Sequence, residues 1–84
     1  MPWRIDWSDR GLRDLADLDR SVASRVVVKL ETIRETPERF FSRLKGGDDY
    51  KLRIGDYRVV AELNHATRTI SISRVGHRSS IYDR

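Results

Sequence analysis

From Tyr50 onward the apolar residues fall on every second position, and this period constrains the fold more than any other feature of the chain. Tyr50, Leu52 and Ile54 alternate with Lys51 and Arg53, and the turn dipeptide Gly55-Asp56 follows. Tyr57, Val59, Ala61 and Leu63 then alternate with Arg58, Val60 and Glu62. After a second turn over Asn64 to Thr67, Ile70 and Ile72 alternate with Ser71 and Ser73. Successive side chains of a strand point to opposite faces, so each run has one face to bury and one to leave open. Three such runs joined by short turns predict a three-stranded antiparallel meander.

Upstream the pattern differs. Pro2 to Trp7 reads as a half-buried strand, with Trp3, Ile5 and Trp7 on one side and Arg4 and Asp6 on the other. Ser8 or Asp9 can cap a first helix whose apolar face is Leu12, Leu15 and Ala16, kept short by Gly11. Asp19 or Ser21 opens a second helix, in which Val22, Val26, Leu30 and Ile33 recur at helical spacing until Pro37 stops the chain at Thr36. Val26-Val27-Val28 has strand propensity, but the helical period runs through it, and Lys29, Glu31, Arg34 and Glu35 take the outer face. The order β-α-α-β-β-β predicts an α+β fold: an N-terminal strand, a two-helix hairpin, then the meander, forming one sheet with the helices packed on one face.

Eighty-four residues make one domain, spanning 1–84, and bury only about 60% of the surface that the unfolded chain exposes. With no cysteine, neither a disulfide nor a thiolate zinc site can reinforce so small a core, which fits a reducing compartment. No apolar run approaches the ~20 residues that span a bilayer, and the N-terminus lacks the apolar stretch of a signal peptide. A cytoplasmic chain with no membrane partner is expected. Neither His65 nor His77 sits in a ligand-spaced cluster with carboxylates, so no metal or cofactor is expected.

The net charge of +4 is placed one-sidedly. Residues 1–40 hold eight Lys/Arg and eight Asp/Glu, whereas residues 41–84 hold nine and five. Such an excess suits an anionic partner, either nucleic acid or an acidic protein. The hairpin sharpens this. If Gly55-Asp56 is the loop, Arg53 lies opposite Arg58, and Lys51 shares their face. Like charges opposed across a sheet cost a few tenths of a kcal/mol. Two readings fit: an anion site, or a solvated face whose cations splay into screening solvent. The tail Val75-Gly76-His77-Arg78-Ser79-Ser80-Ile81-Tyr82 can return to this surface with an arginine and an aromatic, the usual equipment for a single-stranded base and its phosphate. Tyr82 could equally pack on the domain edge.

Leu44-Lys45-Gly46, the run from Tyr50 to Val60, and Val75-Gly76-His77-Arg78 with Ile81-Tyr82 together resemble the RelE/ParE toxin superfamily, and its RelE branch in particular. The resemblance covers nearly the whole chain, though residues 1–40 match only in pattern. It implies the toxin of a type II toxin-antitoxin system, cleaving mRNA in the ribosomal A site without a metal. Carried over by motif, it implies catalytic roles for Lys51, Arg53, Arg58, Arg78 and Tyr82. Arg43, Lys45 and His77 are the candidate RNA-binding residues around them. The second basic strand residue is an arginine here where relatives often have lysine, and the spacing from Arg78 to Tyr82 is shorter than in some relatives. The partners implied are the ribosome, mRNA and a RelB-like antitoxin with an acidic or partly disordered segment.

The residue types suit metal-free RNA cleavage. A lysine crowded by arginines gives up its proton more readily, which makes Lys51 the candidate general base for the 2′-hydroxyl. A guanidinium stays protonated, so Arg53 binds phosphate while Arg58 and Arg78 clamp the scissile group as its charge grows. Tyr82 stacks on or orients the nucleotide. His77 either protonates the leaving oxygen or merely flanks Arg78. Two other functions share the fold: a ParE-like inhibitor of DNA gyrase, and a catalytically degenerate basic RNA-binding homologue.

Overall fold

The computed structural model describes residues 2–44 and 47–81. Strand β1 (Arg4–Trp7) leads into helix α1 (Asp9–Asp17) and helix α2 (Arg20–Ile33). A 3₁₀ turn at Pro37–Arg39 and a two-residue strand β2 (Ser42–Arg43) precede the meander of β3 (Tyr50–Ile54), β4 (Tyr57–Asn64) and β5 (Thr69–His77). The expected fold is present, with one strand more than expected. Two residues are too few to show a period, so β2 has no signature in the sequence. The sheet order is β1-β5-β4-β3-β2, antiparallel except where β1 runs parallel to β5.

The apolar alternation sets one face of the sheet against the helices. Leu52, Val59, Ala61, Ile70, Ile72 and Val75 bury against Val26, Leu30 and Ile33 of α2, with Trp3 and Phe41 closing the ends. The valine run in α2 is helical despite its β propensity because Val26 is needed in that core. Val27 and Val28 then fall outward and stay exposed.

Helix α1 departs from its expected packing. Ser8 caps it, its hydroxyl accepting from the Gly11 amide at 2.9 Å. Of the expected face, Leu15 packs half-buried against the core, but Leu12 and Ala16 face solvent, and the fully buried residue is Gly11. A Cβ there would stand 3.2 Å from the Ile72 carbonyl oxygen, so the glycine lets the helix lie close to β5. What holds α1 in place is Asp14. Strand β1 ends opposite Ile72, leaving the rest of β5 without a neighbour on that side. There the Asp14 carboxylate accepts from the Val75 amide at 2.9 Å and from Arg74 Nε at 2.8 Å. Ser8 Oγ, in turn, donates to the Ser73 carbonyl at 3.2 Å. The helix and its cap thus continue the hydrogen bonding that β1 no longer supplies.

These contacts surround a β-bulge. Val60 pairs with Arg74 and Ala61 with Ile72, so Ser73 is the extra residue, and its hydroxyl donates to the Val60 carbonyl at 3.0 Å. The bulge reverses the parity of β5. Ile70 and Ile72 face the core before it, and Val75 and His77 take that side after it.

Burial pushes the Asp14 carboxyl up, but the Arg74 and Val75 hydrogen bonds and the charges of Arg74 and Arg10 outweigh it and hold the group below its ordinary value of 3.8. A carboxyl depressed on folding stabilises the native state above that ordinary value, and the gain is lost as pH falls through the lower folded value. Asp14→Asn should therefore lower stability at neutral pH by about 1–3 kcal/mol. Urea unfolding from pH 6 to 3 should also show the variant losing less stability than the wild type below pH 3.8. Parallel pH profiles would remove Asp14 from that role.

Candidate functional site

The hairpin between β3 and β4 fixes the site. Gly55 has φ +61°, and Asp56 is not left-handed, the pattern of a two-residue type II′ turn. Ile54 then pairs with Tyr57, Arg53 with Arg58, Leu52 with Val59 and Lys51 with Val60. Opposed residues share a face, with Cβ atoms about 5 Å apart, so Lys51, Arg53 and Arg58 converge on the face away from the core. The bulge brings Arg74 and Gly76 to the same face, opposite Val60 and Arg58.

That face is covered in part. After β5 the chain turns at 78–80 and folds back. The Arg78 amide donates to the Asp56 carbonyl at 2.9 Å, tying the tail to the β3–β4 hairpin loop. Ile81 buries in a small cluster with Leu44 and Val60, apart from the main core. Its carbonyl accepts from Arg58 Nη1 at 3.0 Å. The three strand cations therefore differ: Arg53 is exposed, Lys51 half-buried, and Arg58 only 6% exposed beneath the returning tail.

The remaining residues singled out in the sequence divide. The Arg78 side chain is exposed at the turn beside Asp56. Tyr82 and Lys45 lie outside the described residues. Arg43 and His77 are not brought together with the strand cations. Arg43 pairs with Tyr50, whose ring it covers at 6.0 Å, and it meets Asp48 at 3.3 Å. His77 pairs with Tyr57 and makes an edge-on ring contact with it at 5.3 Å. Both partners belong to the helix-side register, so both residues stand on the opposite side of the sheet. The His77 ring holds the turn itself: its Nδ1 accepts from the Ser79 amide at 3.1 Å and lies 2.8 Å from the Ser79 hydroxyl.

Sequence reasoning passed over Ile81 and Gly76, which shape the site without being polar. An isoleucine directly after four polar tail positions, His77 to Ser80, was the available signal.

A sequence profile described as the ParE toxin of type II toxin-antitoxin system, parDE, matches residues 5–82. The chain belongs to the RelE/ParE family of type II toxins. Its similarities lie on the RelE side of that family. RelE1 of Methanocaldococcus jannaschii is 33% identical over 87 residues, spanning 98% of this chain and 97% of that protein. The RelBE2 toxin-antitoxin complex of Mycobacterium tuberculosis is similar at TM-score 0.84 and 25% identity, over 93% of this chain and 100% of that one. The archaeal RelE–RelB complex of Pyrococcus horikoshii OT3 gives 0.78 at 25% identity, over 96% and 100%. The intact RelBE toxin-antitoxin complex of E. coli gives 0.77 at 25% identity, over 89% and 95%. No helix among the described residues of this RelE/ParE chain is long and apolar enough to cross a membrane.

Arg58 is buried and gives Nη1 to the Ile81 carbonyl, so truncating it leaves that acceptor unpaired. Arg58→Met should therefore lower stability in urea by about 1–3 kcal/mol. An unchanged unfolding midpoint would show that the buried guanidinium makes no net contribution to the fold.

Proposed function

We infer that this toxin is a metal-independent endoribonuclease that cuts mRNA in the ribosomal A site and stops translation in the cytoplasm. The observation that carries the reading is the convergence of Lys51, Arg53 and Arg58 on the sheet face away from the helices, with the Arg78 turn tied to the same hairpin. Lys51 takes the 2′-hydroxyl proton. Arg78, exposed at the turn, holds the scissile phosphate as negative charge builds on it, Arg58 adds its charge from beneath the tail, and Arg53 binds the neighbouring backbone. Tyr82 stacks on the nucleotide and Lys45 extends the basic track. Arg43, on the other side of the sheet, takes no part, and His77 serves only by setting the turn that presents Arg78.

A site made of cations positions phosphate well but does little to align the 2′-hydroxyl for attack. The ribosome supplies that alignment by holding the mRNA, an effect of positioning. The natural inhibitor is a RelB-like antitoxin whose acidic, partly disordered segment orders on the basic face. The RelE-type relatives solved as complexes with RelB support this pairing.

Primer extension on mRNA after induction should show cuts that follow the reading frame. Lys51→Ala should slow cleavage by about 10²-fold or more. Lys51→Arg should stay equally slow, because it keeps the charge but not a removable proton. Arginine restoring full activity would leave Lys51 an electrostatic role only, and equal cleavage of free RNA would sink the ribosome dependence. The ParE description of the matched family favours one other reading, inhibition of DNA gyrase. Blocked supercoiling with intact mRNA would establish it.

A further inference from the structure

The small apolar cluster on the basic face is not needed to close the main core, and it is built around a residue next to the site. Ile81 is 5% exposed although it follows four consecutive positions, His77 to Ser80, that are all polar. Its seat is shaped for it. Gly76 lies under it: a Cβ there would come within 2.9 Å of Ile81 Cδ1 and 3.2 Å of Cγ1. Gly76 is itself directly opposite Arg58 on β4. The backbone is held from the other side as well, the Ile81 amide donating to the His77 carbonyl at 3.2 Å and the Ser80 amide to the same oxygen at 2.8 Å. Side chain and amide thus fix the Ile81 residue, and its carbonyl oxygen receives Arg58 Nη1 at 3.0 Å.

We propose that Ile81 is a positioning residue: seated on Gly76 with Leu44 and Val60, it holds its carbonyl where it orients the Arg58 guanidinium on the basic face. This rests on the nuclease reading for its functional consequence. The planar fork of an arginine has a fixed donor geometry, so one N–H held by a carbonyl limits how the whole group can turn. Losing that carbonyl would widen the range of rotamers open to Arg58 and so blur where its charge lies relative to the phosphate. Tyr82 follows Ile81 directly, so the same anchor fixes the chain one residue before the candidate stacking aromatic. The absence of a side chain at Gly76 is then a requirement of the site: it leaves room on the sheet for the latch.

Two variants test this from opposite sides. Ile81→Ala removes the anchor, and Gly76→Val keeps isoleucine but fills its seat while suiting a strand. A methyl alone at position 76 meets the flexible end of Ile81 and is more easily accommodated. Both variants should lower the turnover of mRNA cleavage on ribosomes by about 10–100-fold with KM changed far less, the signature of a displaced group. Ile81→Leu should recover most of the loss. In an Arg58→Ala background, Ile81→Ala should add less than about twofold, since it acts through Arg58. Side-chain nitrogen NMR of Arg58 supplies a readout independent of activity: a sharp, slowly exchanging Nε–H in the wild type, broadened in both variants. Unchanged NMR signals, or additive losses in the double variant, would overturn the latch while leaving the nuclease reading intact. Full cleavage by Lys51→Ala and Arg58→Ala would overturn the nuclease reading, and the NMR comparison would still decide whether Ile81 holds Arg58.

Discussion

The two-residue turn at Gly55-Asp56 is the constraint on which the rest depends. A strand has a period of two, so slipping the β3–β4 pairing by one residue would move every core side chain to the solvent face and every cation inward. The left-handed φ of Gly55 makes the tight turn possible, and the turn locks Arg53 opposite Arg58. Helix α2 also comes close there: a Cβ on Gly55 would stand 2.8 Å from Arg25 Nη2. The tail fastens to the same loop through the Arg78 amide and the Asp56 carbonyl. Core, basic face and tail are therefore all referenced to one local geometry.

A second constraint acts from the opposite edge. Strand β1 is too short to cover β5, and the residues that complete the edge come from the N-cap and the middle of α1. Ser8 and Asp14 reach positions 65 and 61 residues further along the chain, and they do so at the bulge that reverses the facing of β5. Packing and function meet here. The reversal puts Val75 in the core and Gly76 on the basic face, where it makes room for Ile81 beside Arg58. A straight β5 would have exchanged these two residues.

The part of the site that lies in the hairpin was legible in the sequence because it is local. Alternation gave the faces and the turn gave the register, so the shared face of Lys51, Arg53 and Arg58 follows from residues within a short span. The core face of α2 was legible for the same reason, from the spacing of Val26, Leu30 and Ile33. The face of α1 was legible only at Leu15. Leu12 and Ala16 follow the helical period but point outward, because a charged residue, Asp14, has a stronger partner on β5 than either has in the core.

By itself the sequence determined the order of elements apart from β2, the hairpin register, the basic face and the family, since each rests on short-range periodicity or on a contiguous motif. Only the tertiary structure decided which residues reach that face from elsewhere. His77 and Arg43 went to the other side, by a bulge in one case and by pairing with Tyr50 in the other. Arg58 became a buried cation, because a distant isoleucine folds back over it. The physical reason is the same throughout. Parity within a strand is fixed by covalent geometry, whereas a bulge or a returning tail is fixed by hydrogen bonds and packing with partners far away in the chain.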